Sequence, residues 1–416
     1  MKNYHILKIA CRIMYLTGAG DFWYEEGKIG SDKHFLYIFY GVTLFSLYVL
    51  LTVMEVLAAI WGDLPKDEKS DSVTLAVCHI IVMIKMFLVI ANRGIVKELN
   101  NKMIEICKDY EDEDRVASNY RVMKMNVGAY VLTVYGSWSG YVIEGIRKEL
   151  AGSHFITTVT YWPFYDDDSI TAASARIFTT VLFWALMATM ISIDATVLVT
   201  LIVYKYKLVT LRYYFEGLRV QFDKNNHNGN EKYATEHLYA GLIEGVVMHV
   251  NLLRLSKDVD RSYGSVLAFQ VLLSSGSAVS LLLQLAVNLS YATALKIVLF
   301  IIAIFLLLGL FLCNAGEITY QASLLSDSVF YCGWHATPMR KDLRQLLLLA
   351  CASAQRPIIM KAFKMLELTY GTFIQRTLDA AYVRMTASSV IPSHFHTYRM
   401  ILTSVYSQVP NKLALN

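Results

Sequence analysis

Long apolar runs recur along the 416-residue chain and are separated by shorter polar segments. A helix needs roughly 20 mostly apolar residues to cross the hydrocarbon core of a bilayer. Four runs reach that length, and the last is long enough for two spans that turn back near Asn288: 35–60, 73–91, 177–204 and 266–312. A weaker run covers 126–146, and a more polar one covers 366–391. The pattern therefore predicts an all-α membrane protein with seven transmembrane helices.

The composition supports a membrane protein and excludes several other classes. Hydrophobic residues make up 55% of the chain and charged residues 17%, whereas soluble domains contain about 25% charged residues. No nucleotide-binding or hydrolase motif occurs, and the six cysteines lack the spacing of metal ligands. No basic cluster with interleaved aromatic residues indicates nucleic-acid binding. We therefore expect no enzyme, no cofactor, no metal site and no nucleic-acid partner.

Basic residues are unevenly divided between the two sides of the predicted bundle. With the N-terminus placed inside, the inner segments carry 27 lysine and arginine residues and the outer segments carry 9. Cytoplasmic loops of membrane proteins are enriched in these residues. The bias predicts a cytoplasmic N-terminus and an extracellular C-terminus, which is the reverse of a G-protein-coupled receptor.

The chain divides into segments of different character. Apolar residues at helical spacing predict a short amphipathic helix near the N-terminus, on the inner membrane surface: Ile6, Ile9, Ile13 and Leu16. Residues 205–222 and 237–257 continue in helical periodicity beyond the spans, which predicts a packed intracellular domain. In order, we expect a cytoplasmic N-terminal segment, a six-helix bundle with cytoplasmic extensions, intracellular anchor helices, a seventh helix and a C-terminal extension: 1–34, 35–314, 315–365, 366–391 and 392–416.

Charged residues inside spans are informative because each costs about 2.5–3.5 kcal/mol at a helix centre. Lys85 lies late in the second span, and we expect it to extend to the cytoplasmic face. Asp194 is expected to pair with a neighbour. The seventh segment is too polar to face lipid, so it either lines water or does not span. The first alternative predicts that these side chains line a pore: Gln375, Arg376, Asp379 and Thr386.

Aromatic and polarisable residues concentrate in the outer halves of several spans. Val134, Trp138 and Tyr141 recur at helical spacing in the third span. One interpretation is a small apolar ligand pocket that opens outward, and the other is an aromatic belt with an ordinary bundle core. The first predicts these ligand-binding residues: His79, Met83, Val134, Trp138, Tyr141, Phe178 and Trp184.

Motifs in the last third of the chain resemble the insect odorant receptor family. They cover about 60 residues at the family's spacing and include Cys313-Asn-Ala-Gly316, Ser323, Trp334, Gln355-Arg356-Pro357 and Phe373. A second match, Tyr161-Trp-Pro-Phe164 followed by acids, resembles the family's second outer loop. The long cytoplasmic insertion typical of the family's co-receptor, Orco, has no counterpart here. The resemblance is therefore to a ligand-tuning subunit.

The resemblance implies a function. Members of the family assemble with Orco into a heterotetrameric, non-selective cation channel in the dendritic plasma membrane of olfactory sensory neurons. Volatile apolar ligands bind in the outer half of the sensing subunit, and no G protein is required. The seventh helices line the pore, which adds Val383 and Ala387 to the pore residues. The subunit anchor is formed by intracellular helices and includes Trp334, Pro338 and Pro357.

Two features leave an alternative open. Val383 and Arg384 stand at the positions where the family has a serine and an aromatic residue. The chain then continues to Asn416. Gustatory receptors are similar inverted channels, and Thr369-Tyr370 with Gln375 partly matches their last helix. The alternative is therefore a gustatory-receptor-like, ligand-gated channel subunit. A transporter is disfavoured because neither inverted repeats nor broken helices are visible in the sequence.

Overall fold

The structure is a computed structural model, and it describes residues 3–227, 231–287, 291–337, 340–356, 358–363 and 365–387. These residues are mostly helical. They form eleven α-helices, numbered α1 to α11 in chain order: Asn3–Leu16, Phe35–Trp61, Lys66–Ala91, Arg93–Glu105, Glu113–Leu150, Ile170–His227, Glu231–Val287, Tyr291–Ser323, Leu325–Phe330, Lys341–Ala354 and Tyr370–Ala387. The all-α membrane fold expected from the sequence is confirmed.

Each predicted span corresponds to a helix. Within the described residues, five helical segments are long and apolar enough to cross a membrane: Phe35–Trp61, Glu68–Ala91, Ile170–His227, Glu231–Leu282 and Ile297–Phe330. The remaining two predicted spans correspond to α5, which is less apolar, and to α11. The apolar runs predicted the positions of these helices because backbone groups in hydrocarbon must be hydrogen-bonded within their own segment.

Helices α6 and α7 are far longer than a bilayer requires. α6 contains 58 residues and α7 contains 57, so each is about 86 Å long at 1.5 Å per residue. The hydrocarbon core is only about 30 Å thick. The C-terminal part of α6 and the N-terminal part of α7 lie away from residues 151–169, and they pack together with α1, α4, α9 and α10. We call this the extended end of the bundle, and the opposite end, marked by residues 151–169, the loop end.

The extended end is held by buried polar contacts as well as apolar packing. Lys207 Nζ is fully buried and donates to Glu111 Oε1 at 2.6 Å and to the Ile106 carbonyl at 2.6 Å. The Tyr110 hydroxyl donates to Glu244 Oε1 at 2.6 Å. Burial, reinforced by the Glu244 carboxylate, raises the pKa of Tyr110 to about 12. The phenol therefore keeps its proton and joins the α4–α5 connection to α7.

Helix α1 uses its two apolar faces differently. Ile6, Leu7 and Met14 are buried in the main core, where α1 packs against α6. Ile9 and Ile13 are 44% and 48% exposed. Ile6 therefore lies on the face of α1 that packs against the protein, and it does not belong to the exposed apolar stripe with Ile9 and Ile13.

The seventh helix begins later than predicted. Residues 366–367 belong to a two-stranded antiparallel hairpin, in which β1 (Lys361–Ala362) pairs with β2 (Leu366–Glu367). The hairpin packs on α7, where Asp260 Oδ1 accepts a hydrogen bond from the Lys361 amide at 3.1 Å. Thr369 Oγ1 then accepts from the Thr372 amide at 3.2 Å, which caps the start of α11. Helix α11 thus begins at Tyr370.

Close packing of α6 against α7 depends on two glycines of α7, Gly241 and Gly245. A Cβ added at Gly245 would overlap the Phe215 ring, so Gly245→Ala is expected to destabilise the protein by about 1–3 kcal/mol through overpacking. Gly217→Ala is the matched control, since no atom lies within 4 Å of its added Cβ and alanine is the better helix former by about 1 kcal/mol. Apparent melting temperatures of the purified variants measure the difference. Equal melting temperatures would contradict this packing.

Candidate ligand cavity

An apolar cavity of about 110 Å³ lies in the half of the bundle nearer the loop end. Helices α3, α5, α6, α7 and α8 enclose it, and α2 lies behind α3. The wall consists of Leu75, Cys78, His79, Val82, Val134, Ser137, Trp138, Tyr141, Met187, Met190, Gln270, Leu273, Ser274, Ser277, Phe300, Ile304 and Leu307. An engineered apolar cavity of about 150 Å³ is able to bind benzene. The size and lining of this one therefore suit a small apolar molecule.

Aromatic rings give the cavity a rigid wall on the side of α5. Trp138 and Tyr141 lie one turn apart, with ring centroids separated by 6.3 Å. Trp138 also packs against Phe183 of α6 at 5.7 Å, and Tyr141 meets Phe300 of α8 edge-on at 5.7 Å. Edge-to-face and offset contacts at these distances are favourable. The aromatic residues therefore join three of the enclosing helices around the cavity.

Four of the seven predicted ligand-binding residues lie together in this wall: His79, Val134, Trp138 and Tyr141. Met83 of α3 is absent from the wall and packs, partly buried, against the main core. Phe178 and Trp184 do not line the cavity either, because they are 65% and 56% exposed on the outer surface of α6. Phe183 is buried instead, and a step of one residue along a helix turns a side chain by about 100°.

His79 is held by a carboxylate that the sequence analysis did not single out. Its Nδ1 lies 2.5 Å from Glu55 Oε2 on α2, and its ring stacks on Phe183 with centroids 4.9 Å apart. The His79 side chain is 9% exposed and that of Glu55 is 1% exposed. Glu55 is the single charged residue in the 27-residue helix α2. A lone acid in an apolar span is the signal that could have revealed it.

A second buried polar cluster, here called the polar hub, lies on the side of the cavity facing the extended end. Lys85 Nζ donates to Asp194 Oδ2 at 2.8 Å and to Gln270 Oε1 at 2.5 Å. The Tyr130 hydroxyl donates to the same Asp194 oxygen at 2.5 Å. The hub joins α3, α5, α6 and α7, and Gln270 brings it to the cavity wall.

The position of Lys85 corrects the sequence prediction. Its side chain is 2% exposed, so it does not extend to an aqueous face. Asp194, which was predicted to pair with a neighbour, binds the Lys85 ammonium inside the bundle and so explains why it stays buried. A buried ammonium is stabilised when an ionised partner and further hydrogen bonds satisfy it. The hub provides all of these from within the bundle.

Hydrogen bonds also join α3 to α7 along the cavity. Thr74 Oγ1 and Ser280 Oγ are 2.7 Å apart, and Gln284 Nε2 donates to Thr74 at 2.9 Å. Cys78 Sγ lies 3.0 Å from Ser277 Oγ. These contacts hold helices together where hydrophobic attraction between them is weak. Within the described ranges, no three His, Cys, Asp or Glu side chains form a metal-binding group.

The segment 151–169 covers the cavity at the loop end. Arg176 donates to the carbonyls of Phe164, Tyr165 and Asp167 at 2.9, 3.1 and 3.0 Å. Beneath the segment lies a small polar pocket that shares Leu75 and Tyr141 with the main cavity. The Tyr161-Trp-Pro-Phe164 motif lies in this loop, which the Arg176 hydrogen bonds keep folded.

The predicted pore residues lie in α11, which packs against α7 and α8. Gln375 is exposed and Arg376 is half-buried. The side chains of Asp379, Val383, Thr386 and Ala387 fall outside the described part of the structure. Of the predicted anchor residues, Trp334 is partly buried and meets Phe330 at 5.8 Å. Pro338 and Pro357 also fall outside the described residues.

Comparison with known proteins agrees with this geometry. The family model described as 7tm Odorant receptor matches residues 67–382. The chain belongs to the odorant receptor family. This odorant receptor is a receptor protein and not an enzyme. Its family membership favours the odorant-receptor interpretation over the gustatory-receptor alternative. Among curated proteins, no sequence matches significantly.

Two solved structures share the fold of this odorant receptor. The insect olfactory receptor OR5 from Machilis hrabei superposes with a TM-score of 0.74 at 15% identity, covering 93% of this chain and 97% of that one. The structure of OR5 in complex with eugenol gives a TM-score of 0.76 at 15% identity, with coverage of 93% and 98%. At this identity the likeness shows the fold alone. The roles of individual residues therefore have to be argued from this chain.

Proposed function

We propose that this chain is the ligand-sensing subunit of a non-selective cation channel that it forms as a heterotetramer with Orco, opened by small volatile ligands. The observation that carries the proposal is the apolar cavity of about 110 Å³. It is enclosed by five helices, walled by aromatic rings and covered at the loop end. The eugenol complex of OR5 supports a small organic ligand for this chain as well.

A short path leads from the cavity to the proposed pore helix. Phe300, Ile304 and Leu307 of α8 line the cavity. On the same helix, Gly309 lies against Phe373 of α11, where an added Cβ would be 3.4 Å from the ring. The Tyr370 hydroxyl donates to Glu317 Oε2 at 2.8 Å. A ligand that displaces α8 therefore acts directly on α11.

The proposed arrangement in the membrane follows from the charge distribution. With the N-terminus cytoplasmic, the extended end carries most of the basic residues and faces the cytoplasm. The loop end and the cavity then face outward, where volatile ligands arrive. The anchor segment and the pore helix, which begins at Tyr370, complete the proposed division of the chain. We place the receptor in the plasma membrane of olfactory sensory neuron dendrites.

Co-expression with Orco tests the proposal. We expect odour-evoked cation current only when both subunits are present, in excess of the current from Orco alone. A tag on the N-terminus should become accessible only after the cells are permeabilised. Guanine-nucleotide analogues that block G proteins should leave the current unchanged, because the ligand opens the channel directly.

Two results would contradict the proposal. One is the absence of odour-evoked current across a broad volatile panel while surface labelling shows delivery and an Orco agonist still opens the channel. The other is an N-terminal tag that antibodies reach on intact cells. The agonist control separates a failed ligand response from a failed channel.

A further inference from the structure

Two side chains separate the main cavity from the small polar pocket that lies beneath residues 151–169. Leu75 and Tyr141 line both spaces, and each is 7% exposed. The pocket has a volume of about 10 Å³, which is room for about one water molecule. A ligand that reaches the cavity from the loop end through this pocket therefore has to pass Leu75 and Tyr141.

One face of α3 and one face of α5 run through both spaces. From the pocket to the cavity, the residues of α3 that line them are Glu68, Ser72, Leu75, His79 and Val82. Those of α5, in the same direction, are Lys148, Glu144, Tyr141, Trp138 and Val134. Positions three or four residues apart lie on the same side of a helix. The pocket and the cavity are therefore two parts of one gap between α3 and α5.

At the loop end this gap is bridged by an ion pair. Helix α3 packs chiefly against α2 and α7, whereas α5 packs chiefly against α6 and α8. Glu68 of α3 pairs with Lys148 of α5 across the gap, and the two side chains are 14% and 18% exposed. The pair thus lies at the outer edge of the gap. Widening the gap there leaves the main packing of both helices in place.

The segment 151–169 is attached to other helices. Its residues Ile156 and Val159 pack with Ala58 of α2 in a small apolar cluster that is separate from the main core. Arg176 of α6 binds three of its carbonyls. These attachments do not involve the ion pair, so the segment stays in place when α3 and α5 separate.

We propose that volatile ligands reach the cavity through the gap between α3 and α5 at the loop end, with the Glu68–Lys148 ion pair as its latch and with Leu75 and Tyr141 as the constriction behind the latch. Opening of the pair lets the ends of α3 and α5 separate, which gives the two constricting side chains room to turn aside. The inference rests on the proposed function of the cavity as the ligand site.

The position of the latch has a kinetic consequence. Glu68 and Lys148 line the small pocket but not the main cavity, so a ligand seated in the cavity does not contact them. A group that the ligand meets only on its way changes the barrier and not the bound state. The latch therefore controls the rates of entry and exit together and leaves the affinity unchanged.

Loss of the latch is tested in cells that express the chain with Orco, by fast application and removal of the panel volatile that evokes the largest wild-type current. In Lys148→Met and in Glu68→Gln, current onset below saturation and decay after washout should both accelerate by about twofold to fivefold, the range of a partly exposed ion pair. Potency should stay unchanged. Arg147→Met is the matched control, because Arg147 is 55% exposed and pairs with Glu144 within α5.

A reversible cross-link tests the route in the opposite direction. In the double variant Glu68→Cys, Lys148→Cys, a bis-methanethiosulfonate reagent added from outside joins the ends of α3 and α5. Cross-linking the empty receptor should slow current onset, and cross-linking it with the volatile bound should prolong the current after washout. Reduction should restore both rates in the same cell, so a folding defect does not produce the result. The two single-cysteine variants, treated in the same way, are the controls.

The outcomes separate this inference from the proposed function. Wild-type rates in both latch variants overturn it, and so does a cross-linked receptor that responds and recovers as fast as the reduced one, because ligands then arrive by another route. A change of potency without a change of rates also overturns it. Failure of every volatile to evoke current despite surface delivery counts against the proposed function itself.

Discussion

Replacement of Lys85 by Met is expected to destabilise the receptor by roughly 3–5 kcal/mol, the cost of breaking a buried ion pair by removing one partner. Lys85 and Asp194 are each 2% exposed and 2.8 Å apart. Asp194 Oδ1 already has no partner among the described residues. Loss of the ammonium would leave the carboxylate with the Tyr130 hydroxyl alone. The variant should show a clearly lower apparent melting temperature and reduced surface delivery.

Lys102→Met is the matched control for this prediction. Lys102 pairs with Asp258 at the same distance, 2.8 Å, but it is 43% exposed. Exposed ion pairs contribute about 0–1 kcal/mol, so this variant should stay close to the wild type. Similar losses of melting temperature in Lys85→Met and Lys102→Met would contradict the conclusion that the buried Lys85–Asp194 pair is critical for stability.

The double variant Lys85→Met, Asp194→Leu separates loss of charge from loss of packing. Replacing both charges by apolar side chains of similar size is often neutral or stabilising. We therefore expect the double variant to recover much of the melting temperature that Lys85→Met loses. A double variant as unstable as the single one would mean that the four helices depend on the polar contacts for their packing.

Replacement of Trp138 by Ala should lower the potency of ligands that fill the cavity by about tenfold to a hundredfold, equivalent to about 1.4–2.8 kcal/mol. Trp138 is 3% exposed and lies in the cavity wall. Its removal enlarges the cavity and deletes contacts with the ligand, with Tyr141 and with Phe183. Dose–response curves from cells that co-express Orco, corrected for surface delivery, measure the effect.

Trp184→Ala provides the control for this experiment. Trp184 is the same residue type in the same half of the bundle, but it is 56% exposed and does not line the cavity. Its removal should change potency by less than about twofold, because exposed substitutions usually alter free energies within about 0.5 kcal/mol. Equal effects of the two alanine substitutions would exclude this cavity as the ligand site.

The two tryptophans also show how far sequence reasoning reached at the candidate site. Val134, Trp138 and Tyr141 recur at helical spacing, so one helix face could be predicted, and all three line the cavity. Phe178 and Trp184 lie on the exposed surface of α6. Lipid chains are as apolar as a protein core. Hydrophobicity therefore does not distinguish a side chain that faces lipid from one that faces the cavity.

The sequence by itself determined the class of protein, the approximate positions of its long apolar helices, and the family. Span length and charge bias are local properties that a bilayer imposes directly. Only the tertiary structure brought Glu55 to His79 and joined Lys85, Asp194 and Gln270, which lie up to 185 residues apart. Such pairs depend on how each helix is rotated about its axis, and that rotation is set by contacts among all the helices.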